Sequence, residues 1–281
     1  MSVDAPAAAA ELDLIEFAAC EDMWASADAA TIRDLGLVRD RVGDLRITGC
    51  RACPDVAMLN RVMGTGHATF DPDALAAAVR VLTDRGCVSQ VTVRDDDPAG
   101  PESRAWLIAH GFEAGYGWMK FVHAAGRTAA SRSEPSQVSV HACTSADRGD
   151  FGRVFAAGFD LPSAFGDLAA GLIGRRGWSC FVAHAPGMGA IGAGALFVDG
   201  DAGWLGLAAT LPAARGLGAQ TALIRERIAE ARRLGCRMVV TETGERVPDR
   251  PSGSYRNLLR AGFRERGVRP NLLLRLGPTG P

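Results

Sequence analysis

The chain has 281 residues, enough for about two domains at roughly 150 residues each. Apolar residues make up 47% and charged residues 22%, which excludes a disordered tail. A formal net charge of −1 excludes a global field that would recruit nucleic acid or anionic lipid. All but one of the 31 basic residues are arginine, a compositional bias whose exception is Lys120.

Residues 1–17 have no basic segment and carry Asp4, Glu11 and Asp13, so no secretory signal is expected. No apolar run is long enough to span a bilayer, so the expectation is a cytoplasmic chain. Seven scattered cysteines argue against a disulfide framework. Cys50 and Cys53 form a single CxxC without a second pair or nearby histidines, in a run that reads as strand and turn. Asn60 to Gly66 ends a strand. His67 follows in the turn, and Asp73–Arg85 reads as a helix. After Gly86-Cys87 come the strand VSQVTVRD, an acidic loop, and a helix that ends before Gly111-Phe112.

Residues 124–137 hold no large apolar side chain and include proline, which is linker composition. The expected division is 1–125, a linker at 126–136, and 137–281. In the second part 138–143 reads as a strand, and Ser145 is placed as the cap of a helix running to about Ala157. A helix around 163–173 precedes strands at 178–185 and 189–199. Asp199-Gly200-Asp201 turns that hairpin into a strand at 204–210. Gly216 to Leu234 is an amphipathic helix with Leu223, Ile224, Ile228 and Ala231 at helical spacing. A strand at 237–243, a helix at Ser254–Ala261 and a last strand in PNLLLRL complete the chain. The order helix, Gly-Cys, strand, loop, helix, Gly-Phe occurs in both parts, which points to a duplicated unit. The fold class is α/β, a mixed sheet with flanking helices in each copy.

The informative segment runs from Thr210 to Ile224. A strand ends, a proline turn follows, and Arg215-Gly216-Leu217-Gly218-Ala219-Gln220-Thr221 opens the long helix. Glycines let successive backbone N–H groups point one way, and a helix N-terminus adds its dipole, so an anion such as a pyrophosphate can bind there. The alternative is a strand-to-helix turn that binds nothing. No Lys-Ser/Thr pair follows, so this is not a P-loop, and the third glycine of a dinucleotide fingerprint is absent.

This segment resembles the acyl-CoA motif of the GNAT superfamily of N-acetyltransferases, Arg/Gln-x-x-Gly-x-Gly/Ala, with Arg215 and Gly218 matching and Gln220 departing from the last small residue. Ser254 to Phe263 resembles the late helix of that family. The resemblance covers about 137–276 and implies two GNAT-like domains in tandem, the first a degenerate copy. It implies acetyl-CoA as co-substrate, held by Arg215 to Thr221 at the pyrophosphate, by Ala208 and Thr210 along the pantetheine arm, and by Asn257. It also implies that the strands 204–210 and 237–243 splay around the thioester.

An alkylammonium with pKa near ~10.4 must lose a proton before attack, so a carboxylate base is sought. The segment 204–210 has no acid. Glu242, on the face of Met238 and Val240, is the first candidate, and Glu245 the second. Asp160 and Asp167 are candidates for binding the acceptor amine. The position where the family carries a proton-donating tyrosine is Leu258, with Tyr255 one turn earlier as the substitute. Asp71 and Asp73 at the start of the first copy's helix would repel a pyrophosphate, so that half either shapes an acceptor cleft or is scaffold.

The expected reaction is direct transfer of acetyl from acetyl-CoA to a primary amine in a ternary complex. The acceptor is a small-molecule or amino-acid-like amine, with no metal, nucleic acid or membrane, and a homodimer is left open. The rivals are a non-catalytic acyl-CoA sensor and a duplicated scaffold.

Overall fold

A computed structural model describes residues 7–65, 69–125, 137–247 and 253–275, with side chains from residue 11 onward. The expected linker and His67 lie outside these residues. In chain order the elements are α1 (Ala7–Ala25), α2 (Ala29–Leu35), β1 (Leu37–Val42), β2 (Leu45–Cys50), β3 (Arg61–Thr65), α3 (Pro72–Thr83), β4 (Ser89–Val93), α4 (Gly100–Ala109), β5 (Glu113–Ala114) and β6 (Trp118–Ala124). There follow β7 (Ser139–Ala142), α5 (Arg148–Phe159), α6 (Ser163–Ala170), β8 (Trp178–Ala185), β9 (Gly189–Asp199), β10 (Ala202–Thr210), α7 (Ala219–Arg233), β11 (Met238–Gly244), α8 (Gly253–Arg260), β12 (Arg264–Arg269) and β13 (Asn271–Leu274).

Two compact units result. The first comprises Cys20–Met119 with Gly267–Pro281, and the second Met1–Ala19 with Lys120–Arg266. The first sheet has the order β1-β2-β3-β4-β13-β5 and the second β12-β6-β11-β10-β9-β8-β7. Each is mixed α/β, as expected. The units are not the simple halves 1–125 and 137–281. β6 follows β5 in sequence but lies between β11 and β12, while β13 follows β12 but lies between β4 and β5. The last strand, expected in the second domain, therefore completes the first sheet. β12, RERGVR, escaped the sequence reading because it is a charged, largely exposed strand at the sheet edge, where lone alternation is weak and charge is protective.

The duplication is visible in the backbone. α3 and α7 end alike: Cys87 N donates to Leu82 O at 3.1 Å and Cys236 N to Ala231 O at 2.9 Å, across Gly86 and Gly235 at φ 71° and 82°. α4 and α8 also end alike, with Phe112 N to Leu107 O at 3.0 Å and Phe263 N to Leu258 O at 3.1 Å, across Gly111 and Gly262. These are the 6→1 bonds of a glycine-terminated helix. α3 is started by Pro72 and by Asp71, whose carboxylate accepts from Ala74 N at 3.0 Å, and it buries Leu75, Ala78, Val79 and Leu82 on one stripe. Those residues join Ile47, Val62, Val91 and the exchanged Leu272 in one core. The second unit packs Phe181, Ile191, Ala219, Ala222 and Leu223 in the same way. The helix expected from Ser145 opens instead with a short turn at Ser145–Asp147 capped by Thr144, whose hydroxyl accepts from Ala146 N while Asp147 accepts from Thr144 N at 2.7 Å.

Candidate functional site

β10 and β11 run parallel, and their ladder pairs Ala202 with Met238, Gly203 with Val239 and Trp204 with Val240. Past Trp204 it ends, and Thr241 Oγ1 donates to Leu205 O at 2.7 Å at the parting point. β10 then bulges. Gly206 opposes Ala195 and Ala209 opposes Ala193, so Leu207 and Ala208 face the single residue Gly194. Leu207 takes φ 53°, a left-handed conformation costly for a side-chain-bearing residue. Arg227 holds it there. This fully buried guanidinium of α7 donates to Gly206 O at 3.1 Å, to Ala195 O at 3.1 Å and to its own helix at Leu223 O at 3.0 Å. Burial pulls its pKa down, and the three carbonyls are what replace water around the charge. Gly194 makes room, since a Cβ there would sit 3.1 Å from the guanidinium carbon.

β10 ends at Thr210, and a short turn at Pro212–Ala214 leads to Arg215 in extended conformation. Gly216 and Gly218 both take φ near +90° (88° and 90°), which explains why the sequence has glycine at each. Gly218 caps α7 without a side chain, and the first helical bond is Ala222 N to Gly218 O at 3.0 Å. The N–H groups of Ala219, Gln220 and Thr221 therefore lack intrahelical acceptors, at the positive end of a 15-residue helix. Arg215, Leu217 and Thr221 are exposed beside them. A helix start of this kind can hold an anion. Gln220, the departure from the motif, has a structural use: its Nε2 donates to Ser254 Oγ at 2.7 Å and its Oε1 accepts from Asn257 Nδ2 at 2.8 Å. Asn257 is thus engaged in a clasp between α7 and α8.

Glu242 lies two residues beyond the last β10–β11 pair, and only its side chain's outer part reaches solvent, at 17% exposure. It is hydrogen-bonded to Lys120 of β6, which is itself bonded to Glu16 of α1 and stands 3.9 Å from Asp13. Burial alone would lower the Lys120 pKa; Glu16, Glu242 and Asp13 outweigh it and hold the ammonium above its ordinary value. Phe121, the next residue of β6, points to the opposite face and meets the Tyr255 ring edge-on at 4.9 Å. Tyr255 and Glu242 therefore flank β6 and β11 from opposite faces. The Tyr255 hydroxyl donates to Glu265 at 2.5 Å, and burial, then Glu265, push its pKa up to about 12.

The other sequence candidates fall elsewhere. Glu245 is half-buried in the turn after β11. Asp160 terminates α5 at φ 56°, and Asp167 is exposed on α6. Cys50 and Cys53 are buried, and burial raises the Cys50 thiol pKa to about 12, so this CxxC is core. Among the described residues no cluster could hold a metal ion, and no helix is long and apolar enough to cross a membrane. Sequence reasoning missed Arg227 and Lys120. An arginine inside the apolar stripe Leu223–Ile224–Ile228–Ala231 and the sole lysine of the chain were the available signals.

In the second unit a parallel strand pair parts beside a bulge and leads into a glycine-opened helix. Solved structures share this architecture. A GCN5-related N-acetyltransferase from Sphaerobacter thermophilus superposes with TM-score 0.63 at 14% identity, over 92% of this chain and 90% of that one. One from Kribbella flavida gives 0.59 at 12%, over 92% and 97%. A tandem GNAT protein from the clavulanic acid biosynthesis pathway gives 0.59 at 15%, over 84% and 79%. No family model matches the sequence, and no curated protein does. The chain has the GNAT acetyltransferase fold, in its tandem form.

Proposed function

We propose that the second unit binds acetyl-CoA and transfers its acetyl group to the primary amine of a small acceptor. The observation that carries this reading is the uncapped N-terminus of α7, opened by two left-handed glycines straight after a strand that parts from its neighbour. Its free N–H groups and dipole suit a pyrophosphate, so the residues present fit the coenzyme. Arg215 to Thr221 would hold that group, while Ala208 and Thr210 offer backbone groups along the bulged strand. Asn257, through Gln220, keeps α8 against the start of α7. Acetyl-CoA supplies the activated acyl group.

Glu242 is the proposed base. It is a carboxylate at the parting strands, partly open to solvent, and it would take the acceptor's proton directly or through water. Glu245, just after β11, is the second candidate carboxylate. Tyr255 is a poor proton donor, because its hydroxyl already serves Glu265 and its pKa is raised. Water suffices for a thiolate leaving group whose conjugate acid has pKa near ~8.5. A partly exposed carboxylate and the absence of ionisable residues from 202–210 favour a cationic amine over an acidic one.

One observation favours a non-catalytic acyl-CoA sensor: Leu258, at the position of the family's tyrosine, is a buried apolar side chain of α8. Calorimetric titration with acetyl-CoA, followed by thiol-release assays over a panel of amines, separates the readings. Micromolar binding with turnover supports the enzyme, binding without turnover supports the sensor, and no binding overturns both.

A further inference from the structure

The chain keeps one lysine against 30 arginines, and that lysine is buried at 1% exposure among carboxylates. Compositional bias does not account for this placement. An arginine is longer and planar, whereas an ammonium is a compact point charge with three donors, which suits a closed space between acids. We propose that Lys120 is a positioning residue of the transfer site, fixing the Glu242 carboxylate at the parting strands and keeping it ionised; this rests on the acetyltransferase reading.

The geometry for it is specific. β6 is the strand beside β11, so Lys120 reaches Glu242 across one inter-strand spacing. Glu16 and Asp13 approach the same ammonium from α1. Those two acids are almost fully buried, at 0% and 2%, while Glu242 alone of the three has an outlet to solvent. Lys120 is therefore anchored from behind by its bond to Glu16 and donates as well to Glu242, the one carboxylate of the three that can meet a substrate. The surroundings hold few other charges. β10 has no ionisable residue, and Tyr255, Glu265 and His123 belong to the opposite face of β6, with Arg246 stacked 5.0 Å over the Tyr255 ring. Glu245 follows in the turn after β11.

The sole lysine makes the test direct. With lysine labelled in carbon-13 and nitrogen-15, and any tag free of lysine, the protein gives one side-chain ε-methylene signal, that of Lys120. The expected result is a charged-ammonium shift that persists to high pH and shows a step in acid as its carboxylate partners protonate. Glu242→Gln should displace the signal and remove part of that step. An unchanged signal overturns the proposal. The kinetic arm uses the charge-balanced double variant Lys120→Met with Glu16→Gln, so that the fold is not left with an extra buried anion. The acid limb of its kcat/KM profile should move up by at least one pH unit, tenfold in proton affinity, with KM for acetyl-CoA within about twofold of the parent. A lowered kcat with an unmoved limb means the lysine is merely structural and overturns the proposal. If the parent turns over no amine, the acetyltransferase reading falls, while the spectroscopic arm still decides the Lys120–Glu242 coupling.

Discussion

The two units share a strand–helix–strand–helix path yet differ at the point where a coenzyme would enter. In the second, the β10–β11 ladder ends at Trp204 and the strands part. In the first, β3 and β4 also bulge, at Gly64 with φ 101°, but pairing resumes with Thr65 opposite Val93, and the Thr65 hydroxyl bonds Thr92 O across the ladder. The following helix differs in step. α7 starts from a bare glycine, whereas α3 starts from Asp71, which fills the N–H of Ala74, with Asp73 behind it. One copy leaves the ladder unpaired past Trp204 and its helix start without a side-chain cap; the other resumes pairing at Thr65 and caps its helix with Asp71. A carboxylate at a helix start competes with any anion there, so Asp71 and Asp73 set the first helix apart from α7.

The comparison breaks hardest at Gly218. Gly218→Glu places a carboxylate and a strained side chain at φ 90°, where an anion should sit, and acetyl-CoA affinity should fall at least about 100-fold in a calorimetric titration. Unchanged affinity would move the site away from α7. Next comes Arg227. The shared Gly-Cys ends of α3 and α7 align it with Ala78, so the first copy has no guanidinium at this helix position. Arg227→Met should cost about 3 kcal/mol in urea unfolding, because Ala195 O and Gly206 O lose their buried donor. Asp71→Ala should cost about 1 kcal/mol, the worth of an N-cap, with acetyl-CoA affinity unaltered. A change in affinity there would mean that the first unit takes part in binding.

The smallest effect is at Asp147, whose carboxylate the Thr144 N–H and then His141 hold at a pKa of about 2. Its unfolded value is near ~3.9, so its contribution is complete above that pH and is lost as pH falls through about 2. Asp147→Asn should cost about 0.5 kcal/mol at neutral pH, with the difference from the parent vanishing near pH 2. Thermal melts across that range check it.

The duplicated path was legible because Gly86-Cys87, Gly111-Phe112, Gly235-Cys236 and Gly262-Phe263 are local signals whose hydrogen bonds span a single helix turn. Gly216 and Gly218 were legible for the same reason, since their positive backbone angles are written into the residue type. The strand exchange was not. LLL at 272–274 reads as a buried strand in either sheet, and nothing local says which, because the choice is made by pairing with residues far away. The Lys120 cluster was hidden likewise. Its four members come from α1, β6 and β11, and only the tertiary fold brings them together.

The exchange also sets a clock on synthesis. Asn271 in β13 accepts from Thr92 in β4 across a separation of 179 residues. A ribosome adding roughly 5–20 residues per second takes on the order of ten seconds or more to cover that distance. Throughout that interval β4 has been made and has no neighbour on the side where β13 belongs. High contact order slows such closure further, and an unpaired buried-strand edge is a template for wrong partners. The first sheet therefore closes only after β13 has been made, well after the rest of its strands.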